Sequence, residues 1–255
     1  MSVNTLQQVW DSGRAAVGSY LMFSRDITSV EIAAAAGLDF IIFDLEHRQQ
    51  NPETIHDLCQ VARLAGVAPI VGPKDITPHA ISHVLDLGAS GVLIPHVETP
   101  VDVAMAIEAT RYPPKGRRGR CNRMGHNLYD MSPLSEEVAM YNEDLSLFIK
   151  VESESALRNI EELIAPDEVD GVMVGPADLS LDMGIPGQTQ DPKIIELTEN
   201  VRRACLDRGR KWGDHVMSPD DVPAAIERGA SWIVVSGDLD ILYNFWTQVA
   251  QTISK

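Results

Sequence analysis

Short, continuously apolar runs recur eight times along this chain, each followed by a stretch with helical spacing, and this rhythm limits the fold more than any other feature. The runs are 16–22 (AVGSYLM), 40–46 (FIIFDLE), 68–73 (APIVGP), 91–97 (GVLIPHV), 147–153 (LFIKVES), 171–176 (GVMVGP), 211–216 (KWGDHV) and 232–238 (WIVVSGD). Strands apolar at nearly every position are buried on both faces, as in parallel sheets covered by crossover helices. Helices are expected over 27–36, 52–64, 77–87, 99–110, 154–164, 192–208, 218–228 and 239–252. Asn51-Pro52, Asp191-Pro192 and Ser218-Pro219 are start signals. The polar side chain accepts from an orphan N–H, and proline lacks the N–H that would be orphaned at the first position. Gly37, Gly66, Gly88, Gly209 and Gly229 follow helical patterns, where the chain turns through positive φ. Eight strand–helix alternations predict an α/β fold, a (β/α)8 TIM barrel with residues 1–255 in a single domain. A doubly wound open sheet is the alternative, and no GxGxxG follows the first strand to favour dinucleotide binding.

The stretch 111–146 breaks the rhythm. It carries Arg111, Arg117, Arg118, Arg120 and Arg123 and is long enough to be a functional loop or to hide a short helix. Across the chain, 21 Lys+Arg face 37 Asp+Glu, a formal net charge of -16. That balance argues against nucleic acid or anionic membrane as partners, which require a positive field. Cys59, Cys121 and Cys205 form no CxxC pair, so neither a disulfide framework nor a structural zinc site is expected, in keeping with a reducing cytoplasm. The opening MSVNTLQQVWDSGR has no charged region leading into an apolar one, so no signal peptide is expected, and no apolar run reaches membrane-spanning length.

In a barrel of this kind, function collects at the carboxyl ends of the strands. Those ends carry Asp44, Glu46 and His47; Gly72 and Lys74; His96 and Glu98; Lys150 and Glu152; Asp178; Asp214 and His215; and Asp238. Ionisable groups ending apolar strands are costly to desolvate without a partner or a task. Glu152 and Asp178 end successive strands, and two carboxylates with open positions suit Mg²⁺ or Mn²⁺. The plainer alternative pairs Glu152 with a nearby cation and makes Asp178 a helix cap. Asp44 precedes His47 by three residues, so a carboxylate orienting an imidazole base is one reading, and a capped surface loop is the other. The backbone N–H of Ala177, at the turn into a helix, is a candidate contact for an anionic substrate group.

Five segments together resemble the HpcH/HpaI aldolase family: Asp44-Leu45-Glu46-His47, Leu85-Asp86-Leu87-Gly88, the run RYPPKGRRG over 111–119, Val151-Glu152-Ser153, and GVMVGPADLS over 171–180. The resemblance runs from about Val17 to the last helix. It implies class II chemistry on a hydroxylated 2-oxo acid, cleaved to pyruvate or a related oxo acid plus an aldehyde. It further implies a divalent metal (Mg²⁺ or Mn²⁺) on Glu152 and Asp178, with His47, held by Asp44, as the acid/base. Gly175, Ala177, Lys74 and Asp86 are the candidate substrate contacts. The family also implies a homo-oligomer, a trimer or hexamer, with the last helix against a neighbouring subunit, and the Tyr243, Phe245 and Trp246 cluster fits such a contact.

The chain departs from the family at two positions. An arginine usual at the end of the third strand is Gly72 here, and a glutamine usual two residues before the metal glutamate is Lys150. By strand alternation Lys150 and Glu152 share the inward face. Lys150 is therefore a candidate catalytic residue, acting as a relocated cation, as the nucleophile of a Schiff base, or simply as the partner of Glu152 or Glu46. These departures leave open an altered donor or chemistry, or a barrel that only binds. Asp214, His215, Arg123 and His126 are further candidates for recognising a polar substrate tail, whereas Trp212 and Trp232 read as core.

Overall fold

A computed structural model describes residues 5–48, 50–121, 129 and 132–253. Arg123 and His126 lie outside the described residues. Eight strands form one closed parallel barrel: β1 (Ala16–Leu21), β2 (Phe40–Asp44), β3 (Ala68–Gly72), β4 (Gly91–Ile94), β5 (Ser146–Val151), β6 (Gly171–Val174), β7 (Lys211–Val216) and β8 (Trp232–Gly237). Closure is made by β8 on β1, with Ala16 opposite Trp232 and Val17 opposite Ile233, so the barrel prevails over the open sheet. Each strand starts within one residue of expectation, and all but β7 end one to three residues early. Prolines explain part of this: Pro73 and Pro95 follow β3 and β4 and bring no N–H to continue the ladder.

Alternation divides the strand residues into two cores. Phe40, Ile42, Ile70, Leu93, Phe148, Met173, Trp232 and Val234 fill the barrel interior. Ile41, Phe43, Val71, Val92, Ile149 and Val172 point outward beneath the helices. Trp232 is fully buried in the interior, and Trp212 is buried in the outer layer. The interior accommodates Trp232 only because β7 offers Gly213, where any Cβ would strike the indole ring. A Gly213→Ala change would overpack this site, which typically costs about 1–3 kcal/mol.

The outer shell comprises α2 (Ile27–Ala35), α3 (Pro52–Leu64), α4 (Pro78–Asp86), α5 (Pro100–Thr110), α7 (Glu154–Arg158), α8 (Ile160–Leu163), α9 (Pro176–Asp182), α10 (Pro192–Asp207), α11 (Val222–Glu227) and α12 (Asp238–Ile253), with α1 (Thr5–Asp11) before the barrel and α6 (Leu134–Asp144) between α5 and β5. Asn51 and Asp191 cap α3 and α10 as expected, accepting from Thr54 and Lys193 N–H, and all five glycines expected past helix ends have positive φ. Three helical expectations change. The segment 154–164 is divided at Asn159 into α7 and α8. The segment 218–228 opens as a 3-10 turn over Pro219–Asp221, and Pro223, which has no N–H to give, restricts the α-helix to a fresh start at Val222. Helices α1 and α9 are additional; α1 inserts Leu6 under the barrel floor, and Trp10 donates to the Ser231 carbonyl.

The arginine-rich stretch lies at the amino ends of the strands. Arg111, almost fully buried, donates to the Leu145 carbonyl at 2.8 Å and to the Glu168 carbonyl at 3.3 Å. Arg118 donates to Asp86 at 2.8 Å and stacks over Tyr112, while Arg120 pairs with Glu137. Helix α6 is the hidden helix of this region, and its Asn142 bonds both main-chain groups of Tyr112. On α12 the apolar side chains are open: Tyr243, Phe245 and Trp246 are 68%, 60% and 63% exposed. No helix among the described residues is long and apolar enough to cross a membrane.

Candidate active site at the carboxyl end of the barrel

Inward-facing positions at the strand ends meet in a small pocket lined by Tyr20, Ile42, Asp44, Glu46, Gly72, Leu93, Pro95 and Lys150. Ile42 and Leu93 belong to the interior core and form its floor; the remaining groups are largely polar. Glu152 lies beside it, its side chain 2% exposed. Its Oε2 accepts from the backbone N–H of His96 at 3.0 Å and faces His96 Nδ1 at 3.2 Å. Its Oε1 lies against the Lys150 ammonium but lacks a hydrogen bond of good geometry. The opposite nitrogen of His96 contacts Glu46 Oε1 at 2.7 Å, and Glu46 Oε2 is 3.6 Å from His47 Nε2. A continuous row therefore runs from Lys150 through Glu152, His96 and Glu46 to His47.

Two backbone features build this row. His96 adopts φ 48°, a left-handed conformation uncommon for a side-chain-bearing residue, which turns its N–H and ring toward Glu152. Gly175 makes room for the carboxylate: a Cβ there would lie 2.6 Å from Glu152 Oε1 and 2.8 Å from its Cγ. Glu152 is thereby fixed by β5, a backbone donor and a glycine wall.

Asp178 occupies the first turn of α9, whose N-cap is Gly175 without a side-chain cap, so Asp178 is not serving as the cap. It is half-buried and close enough to act electrostatically on Lys150. Two acidic oxygen donors, one with a buried oxygen that lacks a hydrogen bond of good geometry, fit a hard divalent cation that keeps water or substrate in its other positions. No group of three potential ligands occurs among the described residues, so most of the coordination would come from solvent and substrate.

Asp44 acts through the main chain. Its Oδ1 accepts from Glu46 N–H at 2.8 Å and His47 N–H at 3.2 Å, forming the turn that presents an exposed His47 at the rim. The carboxylate nearest the imidazole is Glu46, not Asp44. Lys150 is mostly buried on the inward face. Desolvation is the strongest single influence on its ammonium and disfavours it, but Glu152, Tyr20 and Asp178 outweigh that loss and the pKa rises. A lysine held in its charged form is a cation, not a ready nucleophile, which weighs against the Schiff-base reading. The phenol of Tyr20 is pushed up to about 12, chiefly by burial, with Lys150 opposing and Asp44, Glu152 and Glu46 adding to the rise. His215, itself exposed, packs edge-on against Tyr20 at 5.5 Å; partial desolvation on that side, followed by Lys150, lowers its imidazole pKa.

Not every candidate reaches the mouth. Asp86 ends α4, which runs back toward the amino end of the barrel, and its carboxylate is held there by Arg118. It is therefore not a substrate contact within its own barrel. Arg111, Arg118 and Arg120 are likewise at the amino end, away from the pocket. Lys74 is exposed just beyond Gly72, and Asp214 turns outward to Arg228. Asp238 accepts from the N–H groups of Met22 and Ser24, tying β8 to the loop after β1. The bridging roles of Glu46 and His96 are new: both were legible as strand-end ionisable groups, but their connection depends on a backbone conformation that no glycine advertises.

A (β/α)8 barrel whose mouth gathers acidic oxygen donors, a histidine and a buried lysine is built as an enzyme suited to metal-assisted acid/base chemistry. Residues 20–243 match the family model for HpcH/HpaI aldolase/citrate lyase, and the chain belongs to that family. It is 33% identical over 244 residues to the 2-keto-3-deoxy-L-rhamnonate aldolase of Escherichia coli (strain K12), covering 92% of this chain and 87% of that protein. Among solved structures, an HpcH/HpaI aldolase from Desulfitobacterium hafniense DCB-2 superposes with a TM-score of 0.93 at 31% identity, covering 98% of this chain and 96% of that one. The citrate synthase SbnG is similar at a TM-score of 0.86 and 25% identity, covering 98% and 97%. Class II aldolases of this family generally use a divalent metal.

Proposed function

We propose that this protein is a divalent-metal-dependent aldolase that cleaves a hydroxylated 2-oxo acid to pyruvate, or a related oxo acid, and an aldehyde. The observation that carries this reading is Glu152: a buried carboxylate whose Oε1 meets only the Lys150 ammonium, fixed by His96 and Gly175, with Asp178 on the next strand–helix turn. Glu152 and Asp178 hold the metal, and their oxygen chemistry suits Mg²⁺ or Mn²⁺. Such a cation, when bound, polarises the 2-oxo group and stabilises negative charge developing on its oxygen. The N–H of Ala177, beside Gly175 at the start of α9, orients the substrate carboxylate, and Lys74 adds positive charge at the rim. His47, positioned by Asp44 through the main chain, takes the proton of the aldol hydroxyl as the carbon–carbon bond breaks. The electron pair passes to the oxo acid as its enolate, and His47 returns the proton to carbon 3, which restores the base. Lys150 contributes a fixed positive charge.

The whole chain acts as one barrel domain in the cytoplasm. Its apolar α12 face, with Tyr243, Phe245 and Trp246 open, supports a homo-oligomer, trimer or hexamer, joined through that helix. Gly72 and Lys150 favour a second reading within the same class, in which the donor is an oxo acid other than pyruvate.

Cleavage of a panel of 4-hydroxy-2-oxo acids, before and after EDTA and with Mg²⁺ or Mn²⁺ restored, tests the proposal. The expected result is loss with chelation and recovery with metal. Chelator-resistant cleavage with borohydride-trapped substrate on Lys150 would replace it with Schiff-base chemistry. No cleavage under any condition would leave a binding barrel.

A further inference from the structure

Every oxygen of Glu152 is already engaged. Oε2 faces the backbone N–H and ring of His96, both on a strained segment of fixed conformation. Oε1 meets only the Lys150 ammonium, in poor hydrogen-bond geometry. The carboxylate cannot retreat, because the backbone of Gly175 closes behind it. Lys150, by contrast, sits on a flexible four-carbon stem and lines the pocket with Tyr20, Asp44, Glu46 and Gly72. Gly72 presents no side chain to this wall of the pocket, and a Cβ there would meet only backbone atoms at 3.6 Å and beyond.

From this geometry we infer that Lys150 is a two-position cation that couples metal binding to substrate binding. Without metal its ammonium neutralises Glu152 Oε1. Were a divalent cation held by Glu152 and Asp178, the Lys150 ammonium would be displaced from the carboxylate toward Gly72, where its charge would face an anionic substrate in the pocket. Lys150 thus opposes the metal in the free enzyme and assists the anionic substrate once metal is present. The lysine stays protonated throughout, and no bond is made or broken. This inference rests on the reading of Glu152 and Asp178 as metal ligands.

The test is Mn²⁺ binding, followed by electron paramagnetic resonance or calorimetry, on wild type, Lys150→Gln and Glu152→Gln, with oxalate as the inert dianion probe. Lys150→Gln is expected to bind Mn²⁺ about tenfold tighter, within the usual span of coupling between sites, and its Mn²⁺-loaded form to bind oxalate more weakly. Lys150→Met, which keeps an unbranched stem without a donor, gives the same pair of changes and stands in if the glutamine variant folds poorly. A residue that only stabilises the fold would weaken both affinities. Opposite signs from one substitution support the coupling, and any other combination overturns it. The Glu152→Gln arm separates the two claims. If it binds Mn²⁺ like wild type, the metal assignment itself falls. If it loses Mn²⁺ while Lys150→Gln gains none, only the role of Lys150 is overturned.

Discussion

Both ends of this barrel bury charged side chains, and they treat them differently. At the amino end each of three arginines has firm partners, Arg111 in carbonyls, Arg118 in Asp86 and two aromatic faces, and Arg120 in Glu137, although the Nε of all three lacks a hydrogen bond. At the carboxyl end the row from Lys150 to His47 leaves Glu152 Oε1 without a good hydrogen bond and depends on a strained His96. Buried cations each matched by carbonyls or a carboxylate fix a structure. A buried carboxylate beside a pocket, in a row of coupled ionisable groups, is where a ligand gains most by binding.

Substitutions at the two ends should therefore separate activity from stability. Glu152→Gln or Asp178→Asn is expected to abolish metal-dependent cleavage to background in steady-state assays while the urea midpoint moves little. A large loss of stability with activity retained would mean that the mouth is scaffold as well. Gly175→Ala places a methyl against the Glu152 carboxylate and is expected to weaken metal affinity by about 10–100-fold, the range for disturbing the support of a ligand. Titration with Mn²⁺ checks it, and unchanged affinity would remove Gly175 as the wall of the site.

At the other end, Arg111→Ala breaks two charge-assisted hydrogen bonds and leaves Asp170, held 3.9 Å away, without its cation. Urea denaturation should show a loss of about 2–4 kcal/mol, with kcat/KM per folded molecule unchanged. A fall in kcat/KM at undiminished stability would put function at the amino end.

The smallest effect concerns pH. His215, exposed on one side, has a depressed folded pKa because of partial desolvation against Tyr20 and then Lys150, so its contribution to stability is present above the unfolded value near 6.5 and is lost as pH falls through the folded one. Wild type should lose stability slightly relative to His215→Gln between pH 7 and pH 5, as read by thermal melts. A gain over that window would reverse the sign and the environment assigned to this residue.

Much of this was legible in the sequence, because hydrophobic alternation and helix punctuation are local. The strands, the caps at Asn51 and Asp191, and the positive-φ glycines follow from neighbours in the chain. So does the gathering of Asp44, Lys150, Glu152 and Asp178 at one end, which strand direction dictates. What sequence leaves open is which atom meets which. Asp44 serves main-chain N–H groups while Glu46 approaches the imidazole of His47, a choice made by the turn and not by residue type. Asp86 belongs to a motif yet lies at the far end, because α4 runs back along the barrel. Helix α1 was hidden because seven residues carry too little periodicity to register.

The central claim is that the carboxyl end of the barrel makes an enolate under the control of Glu152 and His47. Proton–deuterium exchange at carbon 3 of pyruvate, followed by NMR, measures that step directly. Exchange should require Mg²⁺ or Mn²⁺, stop with EDTA, vanish in Glu152→Gln and fall by about 10²–10⁴-fold in His47→Ala. Exchange that persists in EDTA, or proceeds undiminished in both variants, would contradict the account.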